Sequence, residues 1–282
     1  MAFKRSISNT PAWTWAFFGA FVGACLSVLV HLPAAWMASG VSLASQGQVQ
    51  LQEAQGSVWQ GHAKLVFTGG EGSRDAMALP GRIHWQLGVS ASANLWPQLQ
   101  LQLLAACCMT QAATAKLSYQ PSSSDPLQSN GSSWRLQVAD HESQWPAHLL
   151  SGLGAPWNTL QPEGVLKLQT QQMLLSFQNQ QTWLQGGITL TAQNMSSKLS
   201  TLQPMGTYQV SLGGSAIPSN RPSLTLSTQS GSLLLSGQGQ WQGTRLQFRG
   251  EASTVPEHAA ALSNLLNIIG QRQGARSLLS LG

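Results

Sequence analysis

The feature that most constrains the fold of this chain is a period-two alternation of apolar and polar residues, which recurs from residue 49 to residue 248. Successive side chains of a β-strand point to opposite faces, so such runs predict strands with one apolar and one polar face. Turns rich in Gly, Pro, Ser and Asn separate the runs, and the sequence therefore predicts a mainly β fold of about a dozen antiparallel strands. The alternating apolar positions are Val49 and Leu51; Ala63, Leu65 and Phe67; Ile83, Trp85, Leu87 and Val89; Leu99, Leu101 and Leu103; Trp134, Leu136 and Val138; Leu166 and Leu168; Leu175 and Phe177; Ile188, Leu190 and Ala192; Tyr208, Val210 and Leu212; Leu224 and Leu226; Leu233 and Leu235; and Leu246 and Phe248.

The N-terminal segment has a different pattern, because no charged residue occurs between Ala12 and Leu32. A helix over this run would be roughly 30 Å long, about the thickness of the hydrocarbon core of a bilayer. Lys4 and Arg5 precede the run, so the positive-inside rule keeps residues 1–11 in the cytoplasm and exports the chain beyond about residue 40. We expect a single transmembrane anchor at residues 12–36. The alternative is a cleaved signal peptide with its cleavage site at Ala38-Ser39-Gly40.

The exported part of the chain divides at a break rich in Pro and Gly, from Pro146 to Pro162. This break predicts two similar β halves, residues 41–150 and 151–282, in a curved antiparallel sheet. Near the C-terminus, apolar residues at helical spacing between Leu262 and Ile269 predict a short helix that ends at Gly270. A last short strand is expected from Leu278 to Leu281.

Composition argues against nucleic acid as a partner. Charged residues make up 8% of the 282 residues, against about 25% in an average soluble domain. The net charge is +5, but the 14 Lys and Arg residues form no cluster in the sequence. Nucleic-acid binding ordinarily requires clustered cations, so we expect no nucleic-acid partner.

The sequence contains no recognisable catalytic motif. The acidic residues are scattered, no Gly-x-Ser-x-Gly elbow is present, and no glycine-rich phosphate loop opens a helix. Asp140, His141 and Glu142 are the closest approach to a metal-ligand cluster, but their polar surroundings favour a solvated loop. We therefore expect neither enzymatic activity nor a cofactor or bound metal.

Two adjacent cysteines, Cys107 and Cys108, lie in the part of the chain that we expect to be exported, where disulfides persist. In a strand, one of them would face the core and the other would face outward. A vicinal disulfide, two free thiols and a link to another chain all remain open. Cys25 lies within the N-terminal apolar run, where it would pack as a small hydrophobic residue.

Four tryptophans that lie within a few residues of a glycine or proline are candidate structural or interaction residues: Trp59, Trp85, Trp157 and Trp241. Glycine allows close approach of the backbone, and a large ring can then cover the sheet face beside it. We expect Trp59 and Trp85 to be mostly buried on the inner face of the sheet and Trp157 to pack where the halves meet. Trp59-Gln60-Gly61 and Trp241-Gln242-Gly243 are a weak sign of an internal repeat.

The N-terminal apolar run, followed by five segments in fixed order, resembles the type II secretion system protein N family, also called general secretion pathway protein N. The five segments are Gly56 to Gly61, Pro80 to Trp85, Gly154 to Thr159, Trp241 to Gly243 and Asn264 to Gly270. The resemblance implies a bitopic inner-membrane protein of a Gram-negative bacterium, with its bulk in the periplasm. It also implies an accessory role in the export of folded proteins across the outer membrane. The implied partners are the other inner-membrane components of the apparatus and the outer-membrane secretin.

A second interpretation follows from the apolar face of the sheet. A long, curved antiparallel sheet with one apolar face resembles the taco-shaped, AsmA-like envelope proteins, which hold or transfer lipid. If that face stays open, its Leu, Trp and Phe side chains would form a groove for acyl chains.

Overall fold

The computed structural model describes residues 12–70, 72–91, 96–121, 132–178, 181–214, 222–242 and 245–281. In these ranges the chain forms 16 β-strands, four α-helices and two 3-10 helices, the latter at Ala147–Leu153 and Pro256–His258. The α-helices are α1 (Ala12–Val30), α2 (Ala34–Ala44), α3 (Trp157–Leu160) and α4 (Ala259–Ile269). The strands are β1 (Val49–Gly56), β2 (Gln60–Thr68), β3 (Ala76–Ala78), β4 (Ile83–Ala91), β5 (Pro97–Ala105), β6 (Ala113–Gln120), β7 (Ser133–Val138), β8 (His141–Pro146), β9 (Pro162–Gln178), β10 (Gln181–Ser197), β11 (Gly206–Gly214), β12 (Ser223–Gly231), β13 (Leu233–Gln242), β14 (Arg245–Thr254), β15 (Gln271–Gln273) and β16 (Arg276–Leu281).

All of these strands belong to one curved antiparallel sheet, which confirms the predicted mainly β fold. The strand order is β1-β2-β4-β5-β6-β7-β9-β10-β11-β12-β13-β14-β16-β15, with β3 paired to β2 and β8 paired to β9. The two predicted halves are joined edge to edge, because β7 and β8 lie end to end along β9. The sheet therefore continues through the break from Pro146 to Pro162.

The strands differ from the sequence expectation at several places, and the short strands β3 and β15 were not predicted. The separate apolar runs at Leu166 and at Leu175 belong to one long strand, β9, which pairs with the equally long β10. β6 carries a weak alternation of small residues and was not predicted. The expected solvated loop at Asp140 to Glu142 is wrong from His141 onward, since His141–Pro146 forms β8.

Most of the helical segments pack on one side of the sheet, which we call the inner face. On β1, β2, β4 and β5 it is covered by α2, through Ala34 and Met37. The 3-10 helix Ala147–Leu153 covers the middle through Leu149 and Leu150. In the second half α4 buries Leu262, Leu265 and Leu266 on the same face, which confirms the predicted C-terminal helix.

These helices cover only one end of the strands. We call the covered end, near Ile83 of β4, Leu166 of β9 and Ala252 of β14, the closed end of the sheet. The open end is the opposite one, near Val89 of β4 and Phe177 of β9, where the apolar side chains stay exposed.

The N-terminal apolar segment forms two helices, because Pro33 interrupts it between α1 and α2 and makes an isolated bridge with Ser57. Over the part of the chain that the structure describes, none of the helices combines the length and apolarity needed to cross a membrane. The transmembrane anchor predicted at residues 12–36 is thus not confirmed. The predicted cytoplasmic segment, residues 1–11, lies outside the described ranges.

Candidate functional site

The open end of the inner face forms an apolar trough that runs from β4 to β16. Cross-strand partners share a face, so the register places Leu87 with Leu101, Val89 with Leu99, and Leu117 with Leu136 on the same side as the buried Trp85. The same face continues through the second half of the sheet. The trough residues are Leu87, Val89, Leu99, Leu101, Leu117, Tyr119, Trp134, Leu136, Val138, Met173, Leu175, Phe177, Thr182, Leu184, Ile188, Val210, Leu212, Leu224, Leu226, Trp241, Leu246, Phe248 and Leu279.

Several trough side chains are exposed to a degree that is unusual for large apolar residues. The exposed fraction is 63% for Val89, 50% for Trp134 and 41% for Phe177. At the closed end of the same strands, Ile83 and Trp85 are 5% and 3% exposed. Contiguous exposed apolar surface of this kind marks a site of interaction.

The trough is also free of charge. None of these side chains is ionic, and Tyr119 and Thr182 contribute hydroxyl groups. Thr170 and His141 lie on the same face beside Ile188 and border the trough with polar groups. The outer face carries the polar partners of the alternation, such as Gln86, Gln102 and Arg135. The two faces of the sheet are therefore chemically opposite, as the alternation predicts.

An aromatic cluster lies at the rim of the trough. The rings of Trp96 and Tyr119 meet edge to face at 5.9 Å between centroids, and those of Tyr119 and Trp134 lie 5.0 Å apart. Trp96 is 43% exposed. Tyr119 was not predicted as a site residue because β6 was not predicted, although the spacing of Leu117 and Tyr119 is a weak signal for that strand. Trp96 lies just before β5, outside the alternating run of that strand.

A small apolar cavity lies deeper in the molecule, beneath the 3-10 helix. Its volume is about 130 Å³, and it is lined by apolar side chains, among them Leu149 and Leu153 above and Leu168 and Leu190 below. The cavity belongs to the closed end, and the trough described here lies beyond it on the same strands.

Two of the four candidate tryptophans lie at the corner where α1, α2 and the sheet meet. Trp85 is buried, as expected, and its indole Nε1 donates to the carbonyl oxygens of Ser57 and Val58, each at 3.2 Å. Its ring packs on Gly61, where a Cβ would lie 2.5 Å from the ring. Trp59 is only half-buried, because it lies in the β1–β2 turn rather than on the sheet face.

The other two tryptophans lie farther along the chain. Trp157 begins α3 and is 38% exposed. The neighbouring Asn158 donates its Nδ2 to Asp75 Oδ2 at 2.9 Å, which ties α3 to the first half of the sheet. Trp241 lies within β13, whereas Trp59 lies in a turn, so the repeated Trp-Gln-Gly sequence does not occupy equivalent structural positions. Gly243 lies outside the described residues.

The β1–β2 turn connects α1 to the start of the trough. Trp59 Nε1 donates to the Leu29 carbonyl oxygen at 2.8 Å, and the Val58 amide donates to the Leu32 carbonyl oxygen at 2.9 Å. On the other side of the same turn, the Leu87 amide donates to the Trp59 carbonyl oxygen at 2.6 Å. The C-terminal end of α1 is thus fixed beside Leu87, the first trough residue on β4.

Cys107 and Cys108 form a disulfide in the turn between β5 and β6, which resolves the three alternatives in favour of a vicinal bond. Cys108 is 7% exposed and packs near Leu79 and Leu149, whereas Cys107 is exposed. The predicted division into one inward and one outward cysteine is confirmed, although the pair lies in a turn rather than in a strand. Cys25 is a free, exposed cysteine on α1.

Two carboxylates, Glu53 and Glu142, have their pKa values lowered by cations with which they form ion pairs. Hydrogen bonding and attraction to the Lys64 ammonium, assisted by Arg82, lower the pKa of Glu53, whose carboxylate lies 2.9 Å and 3.0 Å from the two cations. Lys167 and then Gln169 lower the pKa of Glu142 by hydrogen bonding. Burial raises the pKa of Tyr208. Among the described residues, no group of three or more His, Cys, Asp or Glu side chains could hold a metal ion.

Comparison with known families supports the resemblance drawn from the five sequence segments. Residues 47–278 match the model of the family described as type II secretion system (T2SS), protein N. The matched range begins just before β1 and includes most of the sheet and α4. No curated protein and no solved structure matches the chain.

Proposed function

Because this chain belongs to the type II secretion system protein N family, we propose that it is a non-enzymatic component of the type II secretion apparatus, anchored in the inner membrane with its sheet in the periplasm. The family match over 47–278 is the observation that carries this proposal. The role is to support export of folded proteins across the outer membrane through contacts with other subunits of the apparatus.

Membrane attachment is proposed through the N-terminal apolar segment. All the side chains that the structure describes on α1 are exposed, including Trp13, Phe17 and Phe21 at 74%, 66% and 68%. α1 carries no charged residue on any side. A helix that is apolar all round is stable when an apolar medium surrounds it, which favours the bilayer.

The subunit contacts are proposed for the outer face of the sheet. This face carries mainly neutral hydrogen-bonding side chains, such as Gln86, Gln137 and Gln238. The partners are the other inner-membrane components and the outer-membrane secretin.

The topology can be tested separately from the role. A reporter that is active only in the periplasm should work when fused to the C-terminus and fail when fused before Lys4. Activity of the reporter in the opposite arrangement would disprove the proposed orientation. Retention of peptides from residues 1–10 in the mature protein would exclude the signal-peptide alternative.

The role is tested by secretion and by crosslinking. Deletion of the gene should reduce export of the natural substrates of the apparatus into the medium, and the full chain should restore it. A photoreactive amino acid at Gln86, with Gln238 as a second outer position, should crosslink to subunits of the apparatus in cells. Unchanged secretion together with crosslinks to unrelated proteins only would refute the proposal.

A further inference from the structure

We propose that His62 and His84 form a binding site for a divalent transition-metal ion, copper or zinc, on the outer face of the sheet. The site lies on the face for which subunit contacts are proposed, but it does not depend on those contacts. The sequence expectation of no bound metal rested on the spacing of ligands along the chain. The register of β2 and β4 brings together two histidines that are far apart in the sequence.

The two imidazoles are direct cross-strand neighbours. His62 of β2 pairs with His84 of β4, and such partners share a face of the sheet. Their ring centroids lie 5.4 Å apart, and the ring planes are 33° from parallel. A metal ion about 2.0 Å from one nitrogen of each ring, at a tetrahedral angle, holds the two ring centroids about 5 Å apart. The separation of the rings is therefore close to that of two histidines bound to one ion.

The fold makes no other use of these two rings. Within the described ranges, no side chain or backbone group forms a hydrogen bond or an ion pair with the imidazole of His62 or His84. A histidine fixed by the fold ordinarily bonds a carboxylate or a backbone carbonyl through one ring nitrogen. Since His84 is exposed and His62 is half-buried, a metal ion can reach both rings from solvent.

The backbone that carries the two histidines is held firmly in place. Ala63 and Ile83, which follow and precede them, are 0% and 5% exposed on the opposite face. Trp85 is 3% exposed, and its ring packs on Gly61. Ligands carried by rigid strands lose little freedom when an ion binds, so this part of the sheet suits a metal site.

A cleft of about 300 Å³ surrounds the pair and gives an ion room for further ligands. Gln60, Gln86 and Gln102 line this cleft and pair across β2, β4 and β5 beside the histidines. Their amide oxygens and water are available for the positions that the two imidazoles leave open. The ion would therefore keep positions at which ligands exchange.

The charges near the pair favour some metals over others. Lys64 and Arg82 each lie two residues from one of the histidines, and both bind the Glu53 carboxylate. Two cations and one carboxylate leave a net positive charge, which opposes ions that rely on oxygen ligands and electrostatic attraction, such as Mg²⁺ and Ca²⁺. Cu²⁺ and Zn²⁺ bind neutral imidazole well, and Cu²⁺ binds such sites more tightly than Zn²⁺. We therefore expect tighter binding of Cu²⁺ than of Zn²⁺ and no binding of Mg²⁺.

The test measures metal affinity by titration calorimetry on the full chain, purified in detergent without a polyhistidine tag. All variants carry Cys25→Ser, because a free exposed thiol also binds these metals. His62→Gln and His84→Gln should each weaken Cu²⁺ binding by about 100-fold, since each removes one of the two strong ligands. His148→Gln, at an exposed position on the 3-10 helix Ala147–Leu153, is the matched control and should bind Cu²⁺ as the parent chain does.

A spectroscopic readout identifies the ligands directly. Electron paramagnetic resonance of the Cu²⁺ complex should show nitrogen coupling from two imidazoles in the parent chain and from no more than one in His84→Gln. Circular dichroism checks that all variants remain folded. Absence of Cu²⁺ binding by the parent chain, equal affinities in the His62, His84 and His148 variants, or a Cu²⁺ spectrum without coupling to two imidazoles would overturn the proposal.

Discussion

The closed and open ends of the sheet are built from the same alternating strands but differ in what covers them. Along β4, Trp85 is 3% exposed and Val89, four residues later on the same face, is 63% exposed. The closed end has α2, the 3-10 helix and α4 over it, whereas no helix that the structure describes reaches Val89, Trp134 or Phe177. The comparison shows that alternation makes a face apolar, and that the covering segments decide whether this face becomes a core or a binding surface.

The largest expected difference between the two ends is in how much the free energy of unfolding falls when a tryptophan is replaced by alanine. Trp85→Ala should destabilise the full chain by about 3–5 kcal/mol, because it empties a buried site over Gly61. Trp134→Ala at the open end should cost about 1 kcal/mol, because half of that side chain is already exposed. Chaotrope unfolding in detergent, followed by circular dichroism, measures both. Equal losses in the free energy of unfolding would mean that the open end is covered as well, which would contradict the difference between the two ends.

Patterning predicted the faces of the sheet well because the alternation is a property of single strands. The apolar sides of β4, β5, β7 and β14 were all predicted from the sequence. β6 was not predicted because its inner side begins with Ala113 and Ala115, whose small side chains give a weaker alternation than Leu or Val would. β8 was not predicted, because the polar residues His141 and Ser143 lie on its inner side where the alternation expects apolar ones. Only its pairing with β9 identifies it as a strand.

The extent of the trough could not be predicted in the same way. It depends on how far α2, the 3-10 helix Ala147–Leu153 and α4 extend over the sheet. Tertiary contacts, rather than the local sequence pattern, determine how far each of them extends. The break from Pro146 to Pro162 predicted a boundary between halves, yet Leu149 and Leu150 fill the centre of the core. The burial of Trp59 was overestimated for the same reason, because this residue lies in the β1–β2 turn and is only half-buried.

The second prediction concerns close packing at the closed end. A Cβ at Gly152 would lie 2.5 Å from the Phe67 carbonyl oxygen and 2.8 Å from the Met77 amide nitrogen. Gly152→Ala should therefore push the 3-10 helix away from β2 and β3 at a cost of about 1–3 kcal/mol.

The matched control for Gly152 is Gly88→Ala on β4, where a Cβ would meet nothing within 4 Å. Its stability should stay within about 0.5 kcal/mol of wild type, as is usual for surface substitutions. Thermal unfolding of the two variants side by side gives the comparison. A neutral Gly152→Ala would show that the 3-10 helix is not held tightly over the sheet.

The third prediction tests a polar contact beneath α4. Ser277 is fully buried, and its Oγ donates to the Leu266 carbonyl oxygen at 2.6 Å. Ser277→Ala removes this donor and should cost about 1 kcal/mol. Ser280→Ala, on the exposed side of the same strand, should be neutral. Similar unfolding midpoints for the two variants would contradict a stabilising role for the buried hydrogen bond.

The smallest expected effect is electrostatic and lies at the edge strand β1, where Glu53 has a positive φ of 53° and binds Lys64 and Arg82. These cations lower the pKa of Glu53 in the folded chain below its ordinary value of 4.5. A carboxyl group with a lowered folded pKa stabilises the fold at neutral pH, and this contribution is lost as the pH falls below 4.5 and through the folded pKa.

Glu53→Gln should therefore lower the free energy of unfolding slightly at pH 7 and leave it unchanged at a pH below the folded pKa of Glu53. The difference should also shrink in high salt, because the ion pairs are exposed to solvent. Glu163→Gln, at an exposed position on β9, is the control, and an equal pH dependence in the two variants would exclude the Lys64 and Arg82 pairs as the cause.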